Sequence, residues 1–166
     1  MANTHKQYRY AKIQENDIVN GEGVCVSLWT QGCPHHCPQC FNPETWDYNG
    51  GNQAYDYEIA EKIISAISAN NIQRNFSILG GEPLCDQNLP LLNYIIPAVK
   101  NHYPNIKIFI WTGYTIEELR ERETAYEIMK LADVVIDGRF DYTQRDITLK
   151  WRGSRNQRIL YKNIDF

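Results

Sequence analysis

Three cysteines, Cys33, Cys37 and Cys40, lie within eight residues and are the side chains most able to carry chemistry. The chain has five cysteines, an odd number, and its first ten residues lack the apolar stretch that directs export. A disulfide framework needs an oxidising compartment and paired thiols, so it is the weaker explanation. We therefore expect a cytoplasmic protein whose clustered thiols hold metal.

Thiolates spaced four and three residues apart can curl around a metal centre, but three of them are an incomplete set of ligands. A structural zinc site and a fully ligated iron–sulfur cluster each need four. Zinc would take its fourth ligand from His35 or His36, although both lie between the first two cysteines rather than in a second knuckle. Cys25 is expected to be a small core residue in a strand. Cys85 could be a fourth ligand, a redox thiol or a plain loop cysteine, and we favour the last.

The elements that must position these residues alternate between strands and helices. Apolar or β-branched runs predict four strands, at 24–30, 75–79, 106–111 and 134–136. Helical periodicity covers 56–70, where Ile59, Ile63 and Ile67 share one face, and 89–102. Two capping-box spacings predict further helix starts, at Thr115 with Glu118 and at Thr124 with Glu127.

A strand, helix, strand order predicts parallel strands joined by right-handed crossovers. The predicted fold class is therefore α/β, a parallel sheet with crossover helices, in a single domain spanning 1–166. A complete eight-stranded barrel takes about 250 residues. This chain of 166 residues suits a partial, open barrel or a doubly wound sheet.

Four unusual segments follow the four predicted strands: the cysteine loop, Gly80-Gly81-Glu82-Pro83, Thr112-Gly113-Tyr114 and Asp137-Gly138-Arg139. The carboxyl ends of parallel strands meet at one edge, where α/β proteins carry their active sites. We therefore expect a single active site built from these loops. Trp46, Trp111, Tyr114 and Asp137 could contribute to it, or could serve packing and turn capping.

The cysteine loop followed one strand later by Gly80-Gly81-Glu82-Pro83 resembles the radical S-adenosylmethionine superfamily. Within that superfamily, further segments resemble the activating proteins of anaerobic ribonucleoside-triphosphate reductase. These segments are Asp17-Ile18-Val19-Asn20-Gly21, Cys40-Phe41-Asn42-Pro43-Glu44-Thr45-Trp46, Trp111-Thr112-Gly113-Tyr114, Ile136-Asp137-Gly138, Trp151-Arg152-Gly153-Ser154 and Asn156-Gln157-Arg158. The resemblance runs from about residue 10 to 158.

The resemblance implies a partial open barrel of the radical S-adenosylmethionine type and one [4Fe-4S] cluster held by Cys33, Cys37 and Cys40. The fourth iron is left for the amino and carboxylate groups of S-adenosylmethionine, which explains the missing ligand. Gln39, Cys40 and Phe41 would lie beside the cofactor, and Gly80, Gly81 and Glu82 would take its methionine part. Close approach of the cofactor would also account for two adjacent residues without a Cβ.

The resemblance further implies a reaction between proteins. One electron from an external donor, such as a flavodoxin-type protein, would cleave S-adenosylmethionine to methionine and a 5′-deoxyadenosyl radical. That radical would take hydrogen from a glycine of the reductase large subunit. The activase would work as a homodimer or in complex with the reductase.

Charge and hydropathy argue against nucleic acid and membranes as partners. The net charge is −3, so the surface is not the basic footprint of a nucleic-acid binder, and no apolar run reaches the roughly 18 residues of a membrane span. Four basic residues near the C-terminus would form a solvated face or dock the reductase: Lys150, Arg152, Arg155 and Arg158. The alternatives are another small radical S-adenosylmethionine enzyme, such as a 7-carboxy-7-deazaguanine synthase or another glycyl-radical activase, and a zinc-binding module.

Overall fold

The computed structural model describes residues 4–166 and contains one seven-stranded sheet, in the order β3-β1-β2-β4-β5-β6-β7. The strands are β1 (Gln7–Asp17), β2 (Cys25–Thr30), β3 (Asn52–Tyr55), β4 (Asn75–Gly80), β5 (Ile108–Trp111), β6 (Val134–Asp137) and β7 (Arg158–Tyr161). The helices are α1 (Asp56–Ile67), α2 (Leu89–His102), α3 (Ile116–Arg120) and α4 (Glu123–Met129).

The four predicted strands are confirmed as the centre of the sheet. The strands β2, β4, β5 and β6 run parallel and neighbour one another in that order. Their residues are almost entirely buried, which is why they appear in the sequence as continuous apolar runs. The α/β class is therefore correct.

The sheet is mixed rather than parallel throughout, because three antiparallel strands complete it: β3 and β1 at one side and β7 at the other. The sequence pattern did not predict strand β1, because its pairing with β2 shifts register between Tyr10 and Lys12. Tyr8, Tyr10 and Ile13 consequently pack on the core without strict alternation. The strands β3 and β7 are short, with mixed exposed and half-buried residues.

All four helices pack on the same face of the sheet. The predicted face of α1, made of Ile59, Ile63 and Ile67, is buried in the main core together with Leu92 of α2. The opposite face holds a small separate cluster centred on Phe109. Helices cover both faces of a doubly wound sheet, so that alternative does not fit this arrangement.

One of the two predicted capping boxes is confirmed. The Thr115 hydroxyl accepts from the Glu118 N–H at 3.2 Å, and the Glu118 carboxylate accepts from the Thr115 N–H at 2.8 Å. The second is wrong, because α4 begins one residue before Thr124 and follows Arg122, which makes no side-chain cap. Among residues 4–166, no helix is both long and apolar enough to cross a membrane.

Truncating the core under α2 should destabilise the fold. Leu92 is fully buried, so Leu92→Ala should lower the free energy of unfolding by about 2–5 kcal/mol through lost burial and a residual cavity. Asn93→Ala, on the exposed side of the same helix, is the matched control and should change it little. Urea denaturation of the cluster-free chain measures both variants, and equal effects would contradict the packing described.

Candidate functional site

The cysteine loop leaves β2 and is closed at its base by its own backbone. The Gly32 N–H donates to the Thr45 carbonyl at 2.7 Å, and the Cys33 N–H donates to the Trp46 carbonyl at 3.2 Å. All three cysteines of the loop face one cavity of about 410 Å³ at the carboxyl edge of the parallel strands. That volume is in the range of cofactor sites.

The residues predicted to form one site largely line this cavity. Its wall includes Cys33, Cys37, Cys40, Phe41, Gly80, Gly81, Glu82, Trp46, Trp111, Thr112, Gly113 and Gly138. Among the residues predicted to contact the cofactor, Gln39 is the exception, because it is exposed with a left-handed backbone (φ 57°) and does not lie on the wall. Its contact with a cofactor stays a prediction. Pro83, Tyr114, Asp137 and Arg139 of the predicted loops do not line the cavity either. The expectation that the loops after β2, β4, β5 and β6 share one edge is confirmed.

Burial controls the protonation of the thiols. Cys33 is 8% exposed, and desolvation raises the pKa of its thiol to about 11. Burial also raises the pKa of Cys37. Both thiols therefore carry protons at neutral pH in the metal-free chain, and each proton must leave when metal binds.

The arrangement fits a cluster better than a single ion. Within the described part of the chain, no three His, Cys, Asp or Glu side chains converge closely enough to hold one metal ion. The histidines that zinc would need are engaged elsewhere: His36 stacks on Trp46, with ring centroids 4.6 Å apart, and His35 is hydrogen-bonded at both nitrogens. A cluster instead takes one thiolate at each of several separate irons.

One buried donor on the wall also fits a sulfur-rich group. The indole N–H of Trp46 is buried and has no acceptor among residues 4–166. Buried donors of this kind are almost always paired. A thiolate or sulfide is an acceptor, and hydrogen bonds to sulfur are one means by which proteins adjust iron–sulfur clusters. The residues present therefore fit a [4Fe-4S] cluster held by the three cysteines.

The imidazole of His35 ties the cysteine loop to the neighbouring strand ends. Its side chain is 5% exposed, and its Nε2 lies 2.8 Å from a carboxylate oxygen of Glu82. Arg139 Nε donates to His35 Nδ1 at 3.2 Å, so the ring proton must sit on Nε2 and point at Glu82. Arg139 in turn pairs with Glu118 at the start of α3.

The Glu82 carboxylate is fully occupied by the protein. It is 1% exposed and accepts from the Leu84 N–H at 2.9 Å, the Thr112 hydroxyl at 2.7 Å, the Gly113 N–H at 2.7 Å and His35. A carboxylate has about four acceptor positions. Its side chain therefore positions three loops and has no acceptor position left for a cofactor. The Glu82 N–H likewise donates to the Gly32 carbonyl, at 2.8 Å.

Gly80, the last residue of β4, and Gly81 are required by contacts within the protein itself. A Cβ on Gly80, whose φ is +110°, would lie 2.6 Å from the Thr30 nitrogen. A Cβ on Gly81 would lie 2.4 Å from the Gly32 carbonyl oxygen. Contact with the cysteine-loop backbone, rather than approach of a cofactor, explains why these positions lack a side chain.

Two other residues of uncertain role have structural partners. Asp137 is fully buried, pairs with Arg158 and accepts from the Ile116 N–H at 2.8 Å, so it caps α3. Tyr114 lies edge-on to His35 and under Arg122. The contacts therefore support a capping role for Asp137 and a packing role for Tyr114.

The C-terminal segment contributes a wall that the sequence reasoning missed. Phe140, Ile147, Leu149, Trp151, Arg152 and Gln157 line the cavity. The basic residues of this segment do not act together, because Arg152 faces the cavity while Arg158 is paired with Asp137 and Glu117. The Trp-Arg-Gly-Ser motif was the available signal, since the resemblance included it.

Comparison with known proteins gives a family. Residues 19–160 match a family described as a 4Fe-4S single cluster domain. A Pasteurella multocida protein is 36% identical over 154 residues, 92% of this chain and 96% of that protein. An Escherichia coli K12 protein is 37% identical over 142 residues, 85% and 90% respectively. One from enterobacteria phage T4 is 36% identical over 156 residues, 94% and 95%. Each is named anaerobic ribonucleoside-triphosphate reductase-activating protein.

Adding a methyl group at Gly80 should displace the cysteine loop. Gly80→Ala combines left-handed strain with overlap on the Thr30 backbone, so it should destabilise the chain and reduce iron uptake. Gly23→Ala is the matched control, because Gly23 also has positive φ but nothing lies within 4 Å of its Cβ position. Thermal unfolding and iron content after anaerobic reconstitution measure both. Equal iron uptake by the two variants would contradict the proposed contact.

Replacing the Glu82 carboxylate by an amide should loosen the same loops. In Glu82→Gln an NH2 group replaces one carboxylate oxygen and must face a donor that this oxygen accepts from in wild type, such as the Thr112 hydroxyl or the Gly113 N–H. We expect this to lower the free energy of unfolding by about 3 kcal/mol. Glu117→Gln, at an exposed carboxylate that pairs with Arg158, should have little effect. Denaturant unfolding tests the difference, and an unaltered Glu82→Gln chain would show that the network does not hold the loops.

Proposed function

The chain belongs to the family of anaerobic ribonucleoside-triphosphate reductase-activating proteins, and from this membership we propose that it is a radical S-adenosylmethionine enzyme that generates the glycyl radical of such a reductase. The observation that carries the proposal is the placement of three thiols and the Gly80-Gly81-Glu82 segment on one cavity wall. Three thiols leave one iron of a cluster without a protein ligand. In this proposal S-adenosylmethionine binds at that iron.

Each part of the wall has a role in this proposal. Cys33, Cys37 and Cys40 would hold the cluster, and the segment Gly80-Gly81-Glu82 would lie against the methionine part of the cofactor. Cys40 and Phe41 on the wall, with Gln39 next to them in the chain, would lie beside its adenosyl part. When bound, the cluster supplies the electron that cleaves S-adenosylmethionine to methionine and a 5′-deoxyadenosyl radical.

Aromatic side chains form a further part of the wall. Phe41 lies against Phe140, with ring centroids 4.9 Å apart, and Arg145 lies over the Phe41 ring. Trp151 is fixed by two backbone contacts, since its indole donates to the Gly21 carbonyl and its own carbonyl accepts from Trp111. Phe41 is 54% exposed, so the cavity is open to solvent on that side.

The substrate is a glycine in another protein, the reductase large subunit, and the cavity mouth is where it must enter. Val19 and Ile147 line the cavity and are 71% and 79% exposed. A partner that buried both would close the mouth.

The full chain forms one activase domain in which the seven-stranded sheet is an open partial barrel. The protein acts in the cytoplasm, takes its electron from a flavodoxin-type donor and works as a homodimer or in complex with the reductase.

Removing one thiol of the loop should abolish the cluster, whereas removing a nearby buried thiol should not. Cys37→Ser should bind far less than the roughly four irons per chain expected of wild type after anaerobic reconstitution. Cys85→Ser is the control, because Cys85 is 3% exposed, accepts from Asn88 at 3.3 Å and does not line the cavity. Iron and sulfide analysis distinguishes them, and zinc in place of iron would favour the binding module.

The activity itself is tested by mixing. Reduced, reconstituted protein with S-adenosylmethionine and the reductase should produce a glycyl-radical signal in EPR, together with 5′-deoxyadenosine. Cys37→Ser should produce neither. Cleavage of S-adenosylmethionine with no radical on the reductase would point to a different radical enzyme, such as a deazapurine synthase, which turnover of a pterin substrate would reveal.

A further inference from the structure

Arg152 is the only lysine or arginine among the described residues that line the cavity. It lies on the C-terminal wall, half-buried, one residue after Trp151. Its Nη1 donates to the Gln157 carbonyl at 3.2 Å and its Nε to the Lys150 carbonyl at 3.4 Å. Its Nη2 has no acceptor within residues 4–166. The guanidinium is therefore anchored at one side and retains free donors.

The backbone around Arg152 is held in place by a single glutamine. The Gln157 side-chain oxygen accepts from the Gly153 N–H at 2.8 Å and the Ser154 N–H at 3.1 Å. The Gln157 amide donates to the Gly138 carbonyl at 3.0 Å, which joins this turn to the end of β6. The cation is thus presented by an ordered turn rather than by a free tail.

The charge of Arg152 is not balanced within the cavity. Glu82 is the only acidic residue on the described wall, and its carboxylate already accepts four hydrogen bonds from other groups. Arg152 makes no ion pair among residues 4–166. A partly buried guanidinium in this setting is suited to an anionic group on a ligand.

We propose that Arg152 binds the carboxylate of the methionine part of S-adenosylmethionine. This inference rests on the proposed function, which supplies the ligand. Metal binding turns the three thiols into thiolates and adds negative charge to the cavity. Besides the open iron, a carboxylate entering such a site is stabilised by a cationic side chain, and Arg152 is the one lysine or arginine on the described wall. Arg152 therefore recognises the amino-acid end of the cofactor rather than docking the reductase.

The test is a comparison of two ligands on the protein with its cluster oxidised, so that no turnover occurs. Titration calorimetry under anaerobic conditions measures the Kd of S-adenosylmethionine and of its decarboxylated analogue. Arg152→Gln should raise the Kd of S-adenosylmethionine by about ten- to hundredfold, which is the effect of losing one charge-assisted hydrogen-bond contact. It should change the Kd of the analogue little. Arg152→Lys keeps the positive charge without the planar guanidinium, so its Kd for S-adenosylmethionine should lie between those of wild type and Arg152→Gln.

The matched control is Arg155→Gln, an exposed arginine three residues along that does not line the cavity, which should bind both ligands as wild type does. Unchanged affinity of Arg152→Gln, or equal weakening of both ligands, would overturn the inference. If the analogue binds too weakly to measure, Arg152→Lys is the deciding variant. The inference requires that it bind S-adenosylmethionine more tightly than Arg152→Gln does. Wild type that holds a cluster yet binds no S-adenosylmethionine would instead overturn the proposed function itself.

Discussion

The buried carboxylate of Glu82 is the interaction on which the rest of the site depends. It stands just after β4, and its four hydrogen bonds reach the cysteine loop through His35 and the end of β5 through Thr112 and Gly113. Through Arg139 the same network extends to α3. A buried carboxylate that is fully paired fixes its partners, because the loss of any one donor leaves a charge poorly compensated. The cysteine loop is therefore held by its neighbours before any metal binds.

The glycines beside Glu82 complete this constraint. Without side chains at 80 and 81, the chain after β4 lies directly on the backbone of Thr30 and Gly32, at the root of the cysteine loop. Three thiols, a cavity and one cation then fall at the carboxyl edge of the parallel strands, where α/β proteins place their chemistry. The family membership agrees with this arrangement, since the matched region is a 4Fe-4S single cluster domain.

Local patterns predicted the centre of the fold well and its margins poorly. The parallel strands are apolar on both faces, so each stands out in the sequence, whereas the register shift in β1 hides its alternation and β3 pairs with residues over forty positions away. Thr115 and Thr124 had the same capping spacing, yet only Thr115 precedes a helix start. The clustering of Cys33, Cys37 and Cys40 is visible in their spacing, whereas their assignment as cluster ligands came from the family resemblance. The pairing of His35 with Glu82, 47 residues apart, depends on tertiary structure and leaves no local signal. The Trp-Arg-Gly-Ser motif marks the segment of Arg152, but only the tertiary structure brings that side chain to the cavity.

The central claim is that three cysteines hold a cluster with one iron left for S-adenosylmethionine. EPR of the dithionite-reduced, reconstituted protein tests it most directly, recorded with and without that compound. We expect a signal from one reduced [4Fe-4S] cluster per chain, with g values that shift when S-adenosylmethionine is added. A chain with no cluster signal, or one whose signal is identical in both samples, would contradict it.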